Sequence, residues 1–254
     1  MSGVLSVFAH PDDEVLCAAG TLALCASRGE RVSLVCATRG EYGPIASDAL
    51  ATPETLASVR DEELHASCAA LGVQDVELLG LPDAGVDWAA AEQNSLRVLV
   101  ERIRRSQPRL LITFGPDGLY GHPDHVAVGE LASRARLLAA DPHFVCAGLA
   151  PHRIPRLFFP VWTHTFVREL LAVAPQVQLW SLQPAQFPLE DNVISASVDV
   201  HAVLDRKLRA IASHRTQLTA DHVLTHADNT RLRTLLSVEH FRCADGLPGD
   251  PLAP

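Results

Sequence analysis

Short β-branched runs alternate with longer helix-like segments through the first half of the chain, and this alternation limits the fold more than any other feature. Val4 to Ala9, Val32 to Ala37, Val76 to Leu79 and Arg109 to Phe114 read as strands. Val15 to Arg28, a stretch within Pro53 to Leu71 that stops at Gly72, Ser95 to Arg105 and His125 to Leu138 read as helices. Strands that are apolar throughout need cover on both faces, so the pattern predicts an α/β fold, a Rossmann-like and mostly parallel sheet flanked by helices. Right-handed crossovers leave few topologies open. In the common doubly wound order 3-2-1-4, the first and fourth strands are neighbours.

The second half is less regular. Arg156 to Val161 and Asn192 to Val198 read as strands and Val203 to His214 as a helix, with Gln176 to Leu189 as loop or a small cap. The expected organisation is a single α/β domain over residues 1–243. Residues 1–140 form its core, residues 141–243 add a small C-terminal cap and complete the sheet, and 244–254 form a frayed tail.

With 254 residues, 48% of them apolar, the chain can bury one full core. A net charge of −9 argues against a nucleic-acid partner, which requires clustered Lys and Arg. No stretch matches a secretory leader or a membrane span, so no membrane association and a cytoplasmic location are expected. The six cysteines are scattered without a C-x-x-C pair and read as small buried hydrophobes. Assembly as a homo-oligomer is left open.

Two clusters carry chemistry. The first strand runs into Ala9-His10-Pro11-Asp12-Asp13-Glu14, and the fourth into Phe114-Gly115-Pro116-Asp117-Gly118-Leu119-Tyr120-Gly121-His122-Pro123-Asp124-His125. Each lies between a strand's carboxyl end and a helix, where open α/β sheets bind ligands. Alone, the first is also what an acidic helix start looks like, and an H-x-x-H turn alone is weak. The glycines fit neither phosphate-binding fingerprint. If strands one and four are neighbours, His10, Asp13 and His125 converge on one ion. Two imidazoles and a carboxylate suit catalytic Zn2+, with Fe2+, Co2+ or Mn2+ able to replace it.

The remaining groups then gain roles. Asp12 can accept a proton from water as general base. His122 and Tyr120 can face the opposite side of a tetrahedral intermediate, with Asp124 orienting His122. Spacing alone leaves Asp12 and Asp13 exchangeable, and likewise His122 and His125.

At these residues the sequence closely resembles the LmbE/PIG-L family of zinc-dependent de-N-acetylases. Lesser matches are Thr38-Arg39-Gly40-Glu41, Arg60-Asp61-Glu62-Glu63, Leu81-Pro82-Asp83 and His214-Arg215-Thr216-Gln217. The resemblance implies an LmbE-like fold and removal of the acetyl group from an N-acetylglucosamine-type conjugate, a small-molecule amino-sugar substrate. It implies His10, Asp13 and His125 as zinc ligands, Asp12 as base, His122 backed by Asp124 as the electrophilic partner, and Tyr120 as a carbonyl-polarising group. Arg60 and Asp83 match positions that grip the sugar or its substituent, and Glu41 is a further substrate-side candidate. His214 ends a helix, where a cation suits the dipole. Trp162, Trp180 and Phe158-Phe159 read as packing rather than as a sugar platform. Two other readings compete: an amidase for another small amide such as a thiol conjugate, and an idle carbohydrate-binding protein.

Overall fold

The computed structural model describes residues 3–85, 88–146, 148–173, 182–187, 189–219, 222–226, 228–245 and 249–253. Four apolar runs become the strands β1 (Gly3–Phe8), β2 (Val32–Cys36), β3 (Asp75–Leu78) and β4 (Pro108–Thr113). β1 is buried at every residue and pairs in parallel with β2 on one side and β4 on the other. β5 (Arg156–Pro160) extends the parallel set, while β6 (Ala196–Asp199) and β7 (Val238–Cys243) join antiparallel. The resulting seven-stranded sheet has the order β3-β2-β1-β4-β5-β7-β6. The expected adjacency of the first and fourth strands is therefore present.

The covering helices are α1 (Asp13–Cys17), α2 (Ala19–Ser27), α3 (Leu56–Leu71), α4 (Trp88–Ser106), α5 (Gly118–Gly121), α6 (Pro123–Ala140), α7 (His164–Ala172), α8 (Leu204–Ile211) and α9 (Thr230–Leu236). α3 ends where expected, because Gly72 adopts φ +78 as a left-handed cap. Sheet and helices enclose one apolar core reaching from Val4 to Phe241. Arg104 on α4 donates to the carbonyls of Leu138, Ala139, Asp141, Phe144 and Leu149, closing the end of α6. No helix among the described residues is long and apolar enough to cross a membrane.

Three expectations need correction. The helix expected over Val15 to Arg28 is two helices, broken at Ala18 (φ −157, ψ 13). The break presents the free amides of α2 to Glu239 on β7. Its carboxylate takes the Gly20 and Thr21 N–H groups at 2.7 and 2.8 Å, and Lys207 Nζ balances the charge at 2.8 Å. The strand expected from Asn192 begins at Ala196, since Asp191–Val193 wind into a 3₁₀ turn. The tail is not frayed over residues 249–253: Arg109 Nη1 donates to the carbonyls of Pro251 and Ala253, and Arg28 donates to that of Leu252. Residues 246–248, Trp180 and positions 176–181 and 188 of the expected cap lie outside the described residues.

Candidate metal centre and active site

After β1, the chain turns through His10 and Pro11 into α1. Asp13 Oδ2 accepts the N–H groups of Ala9 (3.1 Å) and His10 (2.7 Å), which folds that carboxylate back toward the strand end. Asp12, the residue between, has φ +110, a conformation an L residue holds only under constraint. Its N–H is taken by Glu14 Oε2 at 3.0 Å.

On the neighbouring strand, β4 leads through a glycine-rich turn to His122, the cap of α6, with Pro123 at its first position. His125 follows one turn in and stacks on Phe114 at 3.9 Å between ring centres. Its Nδ1 lies 3.1 Å from the Gly118 carbonyl. A carbonyl only accepts, so the proton sits on Nδ1 and the Nε2 lone pair is free. That Nε2 is fully buried, has no hydrogen-bond partner among the described residues, and lies 3.2 Å from Asp13 Oδ1.

His10 completes the set. Its Nδ1 is 3.5 Å from Asp13 Oδ2, and its Nε2 is 3.2 Å from both Asp83 Oδ1 and Asp124 Oδ2. Ligand atoms of His10, Asp13 and His125 all lie within 4.8 Å of one another. A buried, unpartnered imidazole nitrogen beside a carboxylate is what a divalent cation would satisfy, and both rings have their other nitrogen pinned by an acceptor. The residues therefore fit a metal ion. His122 and Asp124 also come within 4.8 Å of His10, but Asp124 Oδ2 is shared between His10 and the Ala84 N–H (3.0 Å).

The electrostatics reflect buried carboxylates and imidazoles crowded together. Burial pulls the His10 imidazole down, yet the carboxylates of Asp124, Asp13 and Asp83 outweigh it and hold the ring well above its ordinary value. Burial pushes Asp13 up, but His125 and His10 hold it well below the usual carboxylate range. Burial raises Asp12 to about 6, against the opposing pull of Arg60. His122 is lowered by burial and by the neighbouring His125 and His10. Burial raises the Tyr120 phenol, which stays protonated.

Of the residues the sequence singles out, His10, Asp12, Asp13, Arg60, Asp83, Tyr120 and His122 line one cavity of about 340 Å³. His125 and Asp124 stand behind it, 0% and 1% exposed. Two side chains take partners other than those expected. The carboxylate of Asp124 reaches His10 rather than His122; its link to His122 is the Asp124 N–H donating to His122 Nδ1 at 3.2 Å. Arg60, expected at the substrate, donates to the Pro11 and Gly40 carbonyls (2.6 and 2.9 Å) and to Asp12 Oδ2 (3.2 Å). Glu41 accepts the Asp83 N–H at 3.1 Å and so braces that loop. Trp162 and Phe158 pack in the core, and Trp162 stacks with Phe187. Phe187 comes from the cap and also meets Tyr120, with 5.8 Å between ring centres. Ser67 and His214 both contact Glu14 beside Asp12; Glu14 and His214 belong to the quoted runs, and no sequence signal pointed to Ser67.

Fold and site define an α/β protein with a His-Asp-His cluster able to hold a cation beyond the carboxyl ends of neighbouring parallel strands. Comparison with known proteins makes the class specific. Residues 5–136 match the family model described as PIG-L, GlcNAc-PI de-N-acetylase. A 1D-myo-inositol 2-acetamido-2-deoxy-α-D-glucopyranoside deacetylase from Thermobispora bispora is 34% identical, over 98% of this chain and 90% of its own length. The protein of that name from Rhodococcus erythropolis is 32% identical, over 97% and 92%. Among solved structures, the N,N'-diacetylchitobiose deacetylase of Pyrococcus horikoshii superposes with a TM-score of 0.69 at 23% identity, covering 96% of this chain and 84% of that one. The 4-carboxy-2-hydroxymuconate hydratase of Pseudomonas putida gives 0.72 at 22% identity, covering 96% of both. The chain belongs to the PIG-L (LmbE) family.

Proposed function

We propose that this protein is a zinc-dependent N-deacetylase that hydrolyses the acetamide of an N-acetylglucosamine residue joined to a small polyol such as inositol. The observation that carries the reading is the convergence of His10, Asp13 and the unpartnered Nε2 of His125 beside Asp12, at the floor of a cavity of about 340 Å³. The end-to-end similarity to GlcNAc-inositol deacetylases supports the substrate class. A cavity of this size suits a sugar with a compact aglycone.

Bound at His10, Asp13 and His125, zinc would lower the pKa of water and polarise the acetyl carbonyl; Fe2+ fits the same donors. Arg60 holds Asp12 Oδ2, which leaves Oδ1 to take the proton of the attacking water. As the C–N bond breaks, the leaving amine needs a proton, and the Asp12 carboxyl can return the one it took. His122 Nδ1 accepts a main-chain N–H, so the neutral ring carries its proton on Nε2. From the cavity wall it acts as a hydrogen-bond donor to the developing oxyanion, with the Tyr120 hydroxyl beside it. Asp83 and Asp124 orient His10 in this reading, and Asp83 keeps a place on the sugar side.

The test is a panel of N-acetylglucosamine glycosides with inositol and other aglycones and of bulky thiol-conjugate amides, read as acetate and free amine. Metal-stripped and zinc-reconstituted protein are run in parallel. Metal-dependent acetate release from the sugar conjugates is expected. Turnover of the thiol conjugates alone, or none with any metal, would overturn the proposal.

A further inference from the structure

Asp12 holds a left-handed backbone conformation with no glycine to ease it, and its own side chain makes no cap hydrogen bond. Its carbonyl opens α1, accepting the Val15 and Leu16 N–H groups at 3.1 and 3.3 Å, and its N–H is held by Glu14. One carboxylate oxygen, Oε2, accepts the Asp12 N–H at 3.0 Å. The other, Oε1, accepts from Ser67 Oγ on α3 at 2.5 Å and from His214 Nε2, just beyond α8, at 2.6 Å. Glu14 and His214 are 1% and 0% exposed, and Ser67 is 0% exposed. The remaining ring nitrogen of His214, Nδ1, has no partner among the described residues, so the imidazole's one polar contact is with Glu14. A buried carboxylate and a half-satisfied buried imidazole are poor devices for stability alone, since packed apolar side chains do as well or better.

Resting on the reading of Asp12 as general base, we propose that Glu14, clamped by His214 and Ser67, is a positioning residue that keeps Asp12 in its left-handed conformation and so aims its carboxylate at the attacking water. The geometry separates this duty from metal binding. Asp13 is anchored independently, through the Ala9 and His10 N–H groups. Loosening Glu14 therefore frees the base and spares the ligand. Arg60 grips the Asp12 carboxylate itself, so side chain and main chain of this residue are held by different partners.

The experiment compares His214→Leu, which removes the donor to Glu14, with His214→Gln, which keeps one, each alone and combined with Asp12→Asn. Zinc content, kcat and KM are measured on one substrate, and the zinc-loaded His214→Leu protein is crystallised. His214→Leu is expected to lose about 10- to 100-fold in kcat, as misplacement of a catalytic group does. Its KM and zinc content should stay within about twofold of wild type, and His214→Gln should restore most of the loss. In the Asp12→Asn background the leucine substitution should cost nothing further, because its effect passes through Asp12. The crystal structure should show Asp12 out of the left-handed region. An unchanged Asp12 backbone, loss of zinc, or a cost that multiplies with that of Asp12→Asn would each overturn the proposal. A wild-type protein that releases no acetate would instead refute the function, and the Asp12 backbone would still decide this inference. Should His214→Leu not fold, Ser67→Ala with the same readouts takes its place.

Discussion

Gly40→Ala offers the sharpest test of how the site is built, with Gly80→Ala as its internal control. Both glycines have positive φ, +63 and +68, so both substitutions carry a left-handed alanine strain of about 1–2 kcal/mol. At Gly80 a Cβ meets nothing within 4 Å, and strain is the whole expected cost. At Gly40 the Cβ would stand 2.3 Å from Arg60 Cζ, where ordinary contact begins at 3.4 Å. The guanidinium must retreat by about 1 Å, and it is buried and bonded to Gly40 O, Pro11 O and Asp12 Oδ2. Loss of one such charged hydrogen bond costs roughly 1.5–3 kcal/mol, which puts Gly40→Ala about 2 kcal/mol below Gly80→Ala in unfolding free energy. Urea unfolding at fixed metal concentration measures the difference, and kcat should fall for Gly40→Ala alone because Asp12 loses its partner. Equal stability losses with unchanged kcat would refute the coupling of Gly40, Arg60 and Asp12.

Two further outcomes follow from particular contacts. Asp124→Asn weakens the acceptor on His10 Nε2, so metal affinity should drop about 10- to 100-fold in a chelator titration; if Asp124 served His122 instead, affinity would hold and only kcat would fall. Glu239 is pushed up by burial, but Lys207 and the Thr21 and Gly20 donors hold it below its ordinary value of 4.5. A depressed carboxyl stabilises the fold above its unfolded pKa and loses that contribution as pH falls through the folded value, so stability should decline below about pH 4.5. Glu239→Gln should flatten this acid limb in urea titrations, and an unchanged slope would count against the ion pair.

How much the sequence reveals depends on whether a contact follows from local pattern or from assembly. His10 and Asp13, and His122 and His125, are legible because each pair lies in the passage from an apolar strand into the helix that follows it. They converge because the parallel order places β4 beside β1. β7 was not legible. Its buried face is Glu239 and Phe241, so an inward carboxylate interrupts the apolar pattern for the sake of α2, more than 200 residues earlier in the chain. Arg60 reads from the sequence as a residue that grips the substrate, and only the fold shows that it turns inward to Asp12 while Asp61 and Glu62 lie nearer solvent. The Glu14–His214 contact joins residues 200 apart and has no periodicity to betray it.

The proposed chemistry divides the labour between Asp13, a metal ligand, and Asp12, a base held beside it. Metal content and acetate release of Asp12→Asn and His125→Ala, purified side by side, test it most directly. Asp12→Asn should keep about one metal ion per chain and lose turnover by at least about 10²-fold, while His125→Ala should lose the metal. Stoichiometric metal in His125→Ala, or metal lost from Asp12→Asn, would contradict the account.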